Sequence, residues 1–274
     1  MKIIQIILSV ICLLAVLPGC STTGRVRSIK AIKDVSQDEI LTVMATGPGF
    51  KTRKRLTYLI AWNNIPVGRI TAESRGIEKY QGKGIYIAKV VTESNKFLSK
   101  IYRVEDTYTS YVDAQTMTSL RYEADRKEGN YRKHLIVEYD FDALEAIYTN
   151  LTDGSVKRCK IEKDVQDPLS AACRFTTLPL EPEELISMTI NLNEKNYKVY
   201  GKIENVNAVG LPHLGTFPAF MLRPYVELNS KRWKKGKGRF YFSADENRYP
   251  LYGIVWIPFG RVTATLRSIE DLPE

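Results

Sequence analysis

Few residues in this chain are of types that do chemistry. Among its 274 residues are two histidines, His134 and His213, and four cysteines, Cys12, Cys20, Cys159 and Cys173. Neither histidine stands in a His-Glu-x-x-His pattern, and no Gly-x-Ser-x-Gly nucleophile turn or phosphate-cradling glycine loop occurs. His134 shares an alternating stretch with Glu138 and Asp140, and His213 follows Gly210-Leu211-Pro212 in a loop. A structural zinc needs four close ligands, and no cysteine pair has a histidine near it in sequence, so neither metal nor cofactor is expected. Two carboxylates suffice for glycoside hydrolysis, but they meet only in the fold. Hydrolysis of an envelope glycan is therefore an alternative, and the expectation is a protein with no catalytic residues.

Cys20 suggests chemistry of another kind. Lys2 is followed by an apolar run from Ile3 to Leu17, broken only by Gln5 and Ser9. A spanning helix needs roughly 20 apolar residues, so this run is short for one. It ends in Leu17-Pro18-Gly19-Cys20, which resembles the lipobox of bacterial lipoprotein precursors. The resemblance implies that residues 1–19 are a signal peptide and that the Cys20 thiol carries diacylglycerol, with palmitate-type chains. Two acyl chains, at about 0.8 kcal/mol per buried CH₂, anchor stably where one does not. Ser21 after the cysteine implies sorting to the outer membrane, facing the periplasm. Nucleic acid is then excluded as a partner, although the net charge is +9.

Cys159 and Cys173 are the thiols left in the mature chain. In an oxidising compartment such a pair bridges if geometry allows, closing a loop of about fifteen residues worth on the order of 3 kcal/mol. Two buried free cysteines are the equal alternative.

The elements that must position these residues are mostly strands. Residues 20–50 are polar, with a capping box at Ser36-Gln37-Asp38-Glu39 that suggests a short helix in an otherwise flexible tether. From residue 51 to 274 a single β-rich domain is expected. Leu56, Tyr58, Ile60 and Trp62 share one face before an Asn63-Asn64 turn. Leu135, Val137, Tyr139 and Phe141 oppose His134, Ile136, Glu138 and Asp140, and Val262, Ala264 and Leu266 alternate with polar neighbours. About twelve such runs predict one large, strongly curved antiparallel sheet or barrel. Asp167 as a cap, Pro168 at the first position and an apolar Leu169–Phe175 run predict a helix that plugs it. A second short helix is expected over residues 95–102.

Two basic runs stand out. Lys51 to Arg55 lies where the tether meets the domain. Lys231, Arg232, Trp233, Lys234, Lys235, Lys237 and Arg239 place six positive charges in nine residues. Both suit an anionic lipid surface, where each Lys or Arg gains about 1 kcal/mol; a solvated hairpin tip is the simpler alternative.

Several short motifs recur in order: Tyr58-x3-Trp62 with Ile65-Pro66-Val67-Gly68; Tyr102-x3-Asp106 with Ser110 and Asp113; Tyr139-Asp140-Phe141; Val165-Gln166-Asp167-Pro168-Leu169-Ser170; and Ser243-Ala244-Asp245 with Arg248-Tyr249-Pro250-Leu251 and Phe259-Gly260. Together they resemble the bacterial family called domain of unknown function 3108, from about Leu56 to Leu266. The resemblance implies an exported β-rich fold and no particular chemistry. Its charged members, Asp106, Asp113, Asp167, Asp245 and Arg248, either converge on a polar site, with Asp245 or Asp167 accepting from Arg248, or serve as turns and caps. In architecture alone the chain also resembles curved-sheet lipoprotein carriers that hold acyl chains against an internal helix. The expected function is a lipid-anchored, non-enzymatic binding or scaffold protein. A lipid, acyl chain or glycan would be held in a cavity lined by Tyr58, Ile60, Trp62, Val137 and Trp256. The alternative is a filled interior and an envelope protein partner.

Overall fold

The computed structural model describes residues 51–178, 185–228, 231–232 and 237–273. Cys20, the signal peptide and the tether lie outside the described residues. So do Trp233, Lys234 and Lys235, and the side chains of Lys231, Arg232 and Lys237.

The first run of strands is β1 (Arg53–Trp62), β2 (Ile65–Tyr80), β3 (Lys83–Ser94), β4 (Glu105–Asp113), β5 (Ser119–Glu128), β6 (Tyr131–Asp140), β7 (Glu145–Asn150) and β8 (Val156–Lys160). Helix α1 (Pro168–Thr177) interrupts it. The second run is β9 (Leu185–Leu192), β10 (Lys195–Leu211), β11 (Gly215–Leu228), β12 (Lys231–Arg232), β13 (Lys237–Ser243), β14 (Pro250–Ile257) and β15 (Gly260–Asp271). All pair antiparallel in one sheet of order β8-β7-β6-β5-β4-β3-β2-β1-β15-β14-β13-β11-β10-β9, with β12 on β11. Among the described residues there are thus fifteen strands, more than the dozen expected. The helix expected over residues 95–102 is one 3-10 turn, Leu98–Lys100, capped by Asn95 Oδ1 accepting from the Leu98 amide at 2.8 Å.

Asn63 and Asn64, at φ 48° and 70°, turn β1 into β2 as expected of a two-residue hairpin. Gly260 presses on that turn: a Cβ there would lie 2.1 Å from Asn63 Oδ1, so only glycine lets β15 close beside β1.

The two free edges, β8 and β9, are drawn together by polar contacts. Asn196 Nδ2 donates to the Lys160 carbonyl at 2.7 Å, the Tyr148 hydroxyl to Asn191 Oδ1 at 2.5 Å, and Lys157 pairs with Glu194 at 3.2 Å. Gln166 bonds β9 through both backbone groups, its amide to Thr189 and its carbonyl from Asn191. The sheet therefore curls on itself, with Gln166 pairing along the β9 edge.

Helix α1 lies inside this curl. Leu169 packs with Tyr108, Tyr122, Val137 and Tyr139 of β4 to β6, while Phe175 packs with Phe220, Phe240 and Val255 of β11 to β14. Ala171 meets Ile190, Tyr197 and Val226. One short helix thus bridges walls far apart in the sheet order. Burying Leu169 and Phe175 contributes roughly 1.5–3 kcal/mol each.

Candidate functional site

The helix is fastened at both ends by residues of the recurring motifs. At its N-terminus Asp167, fully buried, accepts from the amides of Leu169 at 2.7 Å and Ser170 at 3.0 Å, and its own amide donates to Ser170 Oγ at 2.9 Å. This is a capping box. The second carboxylate oxygen accepts from Ser110 Oγ of β4 at 2.5 Å, which ties the cap to the wall. Burial raises the Asp167 pKa, opposed by these donors.

At the other end Arg248, 2% exposed, donates to the Thr176 carbonyl at 2.9 Å and to that of Leu178. A basic group on the last carbonyls satisfies acceptors the helix leaves open and opposes its dipole. Arg248 sits at φ 49°, held there by its own amide on Asp245 Oδ1 at 3.1 Å. Asp245 also accepts from Ser243 Oγ and Asn247. No carboxylate pairs with the Arg248 guanidinium among the described residues, and burial lowers its pKa. The expected acceptance from Arg248 by Asp245 or Asp167 is therefore corrected: the guanidinium serves helix carbonyls, and only the backbone amide reaches Asp245.

Between the helix and the sheet lies a cavity of about 260 Å³. Ala171, Ala172 and Phe175 form its helical side, with Ile186 and Met188 of β9, Gly201 of β10, Leu222 and Pro224 of β11, and Tyr58, Ile70 and Val90 opposite. No lining residue is an acid or a basic residue; the polar side-chain atoms come from Ser187, Tyr58, Tyr200 and Tyr252. Tyr58, whose pKa is raised by burial, is the one expected cavity residue on this surface. Ile60 packs in the cluster with Leu251 and Leu266, and Val137 against Leu169. Trp62 donates to the Phe259 carbonyl at 3.1 Å, and Trp256 lies under the Arg239 guanidinium at 5.5 Å. Those four placements correct the expected lining. For Val137 the reason is the helix, whose Leu169 fills the space beside it.

The family model for Protein of unknown function (DUF3108) matches residues 57–267. The chain belongs to the DUF3108 family. No curated protein matches it. Among solved structures it is similar to a β-barrel-like protein of domain of unknown function DUF1849 from Brucella abortus. The TM-score is 0.56 at 8% identity, over 81% of this chain and 99% of that one, which shows a shared fold. It also aligns with an exported protein of YmcC-like fold, so assigned provisionally, from Bacteroides fragilis (9% identity, TM-score 0.31, 82% and 99% coverage). A candidate lipoprotein from Parabacteroides distasonis aligns at 8% identity and TM-score 0.36, with 82% and 97% coverage.

The charged motif residues of this DUF3108 domain fall in separate places. Asp113 accepts from the Gln115 and Thr116 amides in the β4–β5 turn; burial pushes its pKa up, but those amides hold it below the usual value. Asp106, 1% exposed, accepts from the Lys127 amide at 2.8 Å and the Tyr108 hydroxyl at 3.2 Å. Beside it Glu128, also 1% exposed, accepts from Arg126, and its other oxygen meets no donor among the described residues. Nothing in the sequence marks this second carboxylate, because only the pairing of β4 with β5 brings it near. Burial first, then Glu128, push Asp106 up to about 6, against the pull of the Lys127 amide and Arg126.

A carboxyl that holds its proton more tightly when folded stabilises below its unfolded pKa, and that contribution fades as pH rises through about 6. At about 1.4 kcal/mol per tenfold change in proton affinity, the rise from 3.8 to about 6 makes the domain about 3 kcal/mol more stable below the unfolded pKa than at neutrality. In Asp106→Asn, urea unfolding across that range is expected to lose this slope; an unchanged slope refutes the assignment.

Cys159 and Cys173 are both free thiols. Asn191 Nδ2 contacts Cys159 Sγ at 3.5 Å, while Cys173 is buried on α1, where desolvation pushes its pKa up to about 12. A buried thiol of that kind is inert. His134 is half-buried on β6, its amide donating to Thr152, and His213 is an exposed turn residue at φ 73°.

Proposed function

We propose that this protein is a lipid-anchored envelope carrier that holds a single apolar chain, such as an acyl group, between α1 and the sheet. It catalyses nothing, and Cys20 ties it to the outer membrane on the periplasmic side. The reading rests on the cavity of about 260 Å³ with no acidic or basic side chain in its lining. A charged or glycan ligand would lose hydrogen bonds to water there without replacement, at several kcal/mol. The size lies just below the roughly 300–1,000 Å³ of small-molecule pockets, which suits one chain rather than two.

The lining is almost wholly apolar, so an acyl chain seated there leaves water for apolar contact, at about 25 cal/mol per Å² of apolar surface removed from water.

Native purification without detergent, then organic extraction and mass spectrometry, is expected to yield a fatty acid or lipid close to one per chain, and the intact mass to carry the Cys20 modification. Ala172, exposed on α1 at the cavity, gives the matched variant. Ala172→Trp fills the space from a position that tolerates bulk and is expected to weaken binding of a fluorescent fatty acid about tenfold or more, the equivalent of about 1.4 kcal/mol. Lipid-free protein from repeated preparations, or equal binding by the variant, overturns the proposal.

A further inference from the structure

Antiparallel pairing sends the chain connections to two opposite ends of the curled sheet. Trp62 pairs with Ile65 and Val262, Ser94 with Gly68, Glu128 with Tyr131, and Leu135 with Asn150. The β1–β2, β3–β4, β5–β6, β7–β8 and β14–β15 connections therefore share one rim. The pairings Leu192 with Lys195, Leu228 with Lys231 and Lys237 with Trp256 put the ends of β9 and β11 and the start of β13 there too.

Eight large apolar side chains are exposed among the described residues, and six of them lie on this rim: Ile65 (61%), Phe97 (72%), Ile101 (75%), Leu151 (52%), Val156 (58%) and Phe259 (55%). The other two, Ile77 and Leu185, sit toward the opposite end. Scattered apolar residues need no explanation, but a cluster on loop tips does. Cations accompany them. Lys96 and Lys100 flank Phe97 and Ile101 and are exposed. The far end carries both signs: the basic run Lys51–Arg55 opens β1 there, which separates it from this rim, alongside Asp140 and Asp142 after β6 and Asp245 and Glu246 after β13. Trp62 and Trp256 stand near the rim, and Trp233 lies in the chain between β12 and β13. Protruding apolar tips flanked by Lys96 and Lys100, with Trp62 and Trp256 just behind, fit an anionic lipid interface better than water.

We propose that this rim docks on an anionic bilayer surface, so that Phe97, Ile101 and Phe259 enter the headgroup layer. The proposal is independent of the cavity. It is compatible with an anchor at Cys20 even though β1 begins at the far end. The 32 residues between Cys20 and Arg53 have a contour length of up to about 100 Å, well beyond the roughly 33 Å of ten-residue β1.

The tryptophans report the docking directly. The full chain is bound to vesicles of phosphatidylethanolamine and phosphatidylglycerol whose acyl chains are brominated near the headgroup, and its emission is compared with that on unbrominated vesicles. Contact quenchers at the interface are expected to lower it about twofold, and less in phosphatidylcholine or high salt, which screens the cations. The triple variant Phe97→Ser, Ile101→Ser, Phe259→Ser changes exposed positions only, so its circular dichroism is expected to match the parent while the quenching is lost. It still floats with the vesicles through its lipid. No quenching of the parent, or undiminished quenching of the variant, overturns the proposal. Neither outcome bears on the extracted ligand.

Discussion

Replacing Asp167 by alanine is expected to lower the stability of the domain by about 3 kcal/mol. Loss of an N-cap costs about 1 kcal/mol. The buried Ser110 hydroxyl, which donates to Asp167 at 2.5 Å, then has no acceptor, at a further 1–3 kcal/mol or so. Relief of a desolvated carboxylate, whose pKa burial raises, offsets part of this. Asparagine keeps an oxygen for the Leu169 and Ser170 amides and can turn its nitrogen to the Ser110 oxygen, so Asp167→Asn is expected to cost about 1 kcal/mol or less. Urea unfolding at neutral pH separates the two. Equal losses for alanine and asparagine would show that the carboxylate does not act as a cap.

The Arg248→Met variant tests the opposite end of α1. Methionine fills much of the same volume but leaves the Thr176 and Leu178 carbonyls without their donor. Bonds to a charged group are worth about 1.5–3 kcal/mol, and loss of the guanidinium's desolvation cost returns some of it. A net loss of about 2 kcal/mol is expected. Both residues hold one helix, so once either end detaches, the other has less to hold. The Asp167→Ala, Arg248→Met double variant is therefore expected to lose less than the sum of the singles. Each single is also expected to release the fatty acid more readily, since α1 forms one side of the cavity. Full additivity, with ligand retention unchanged, would sink the idea that the two residues form one clamp.

This clamp gives the motifs a physical meaning. Val165-Gln166-Asp167-Pro168-Leu169-Ser170 is the helix entrance together with its parallel contact to β9. Ser243-Ala244-Asp245 and Arg248 form the turn that receives the helix exit. Ser110 is the anchor on β4. Residues far apart in sequence are thus linked through one ten-residue helix.

Local rules made the strands and the helix legible. Side chains alternate across a strand whatever lies beyond it, so the faces of Leu56–Trp62, Leu135–Phe141 and Val262–Leu266 could be read directly. Asp-Pro followed by an apolar run starts a helix through its own backbone bonds, and Asn63-Asn64 suits a tight turn through its own φ preferences. The identity of the family was readable for the same reason, since each motif carries a turn, a cap or a strand face.

Only the tertiary structure decided what those pieces enclose. Alternation tells which residues point inward, but not whether another side chain, a helix or empty space lies opposite. Hence Tyr58 meets the cavity while Ile60 and Val137, equally inward, meet other walls. Strand register set Glu128 beside Asp106, two residues that sequence distance keeps apart. It also gathered the exposed apolar tips of separate hairpins onto one rim, because antiparallel pairing alternates the ends at which connections emerge. Such relations depend on where the sheet closes, and closure is a property of all fifteen strands together.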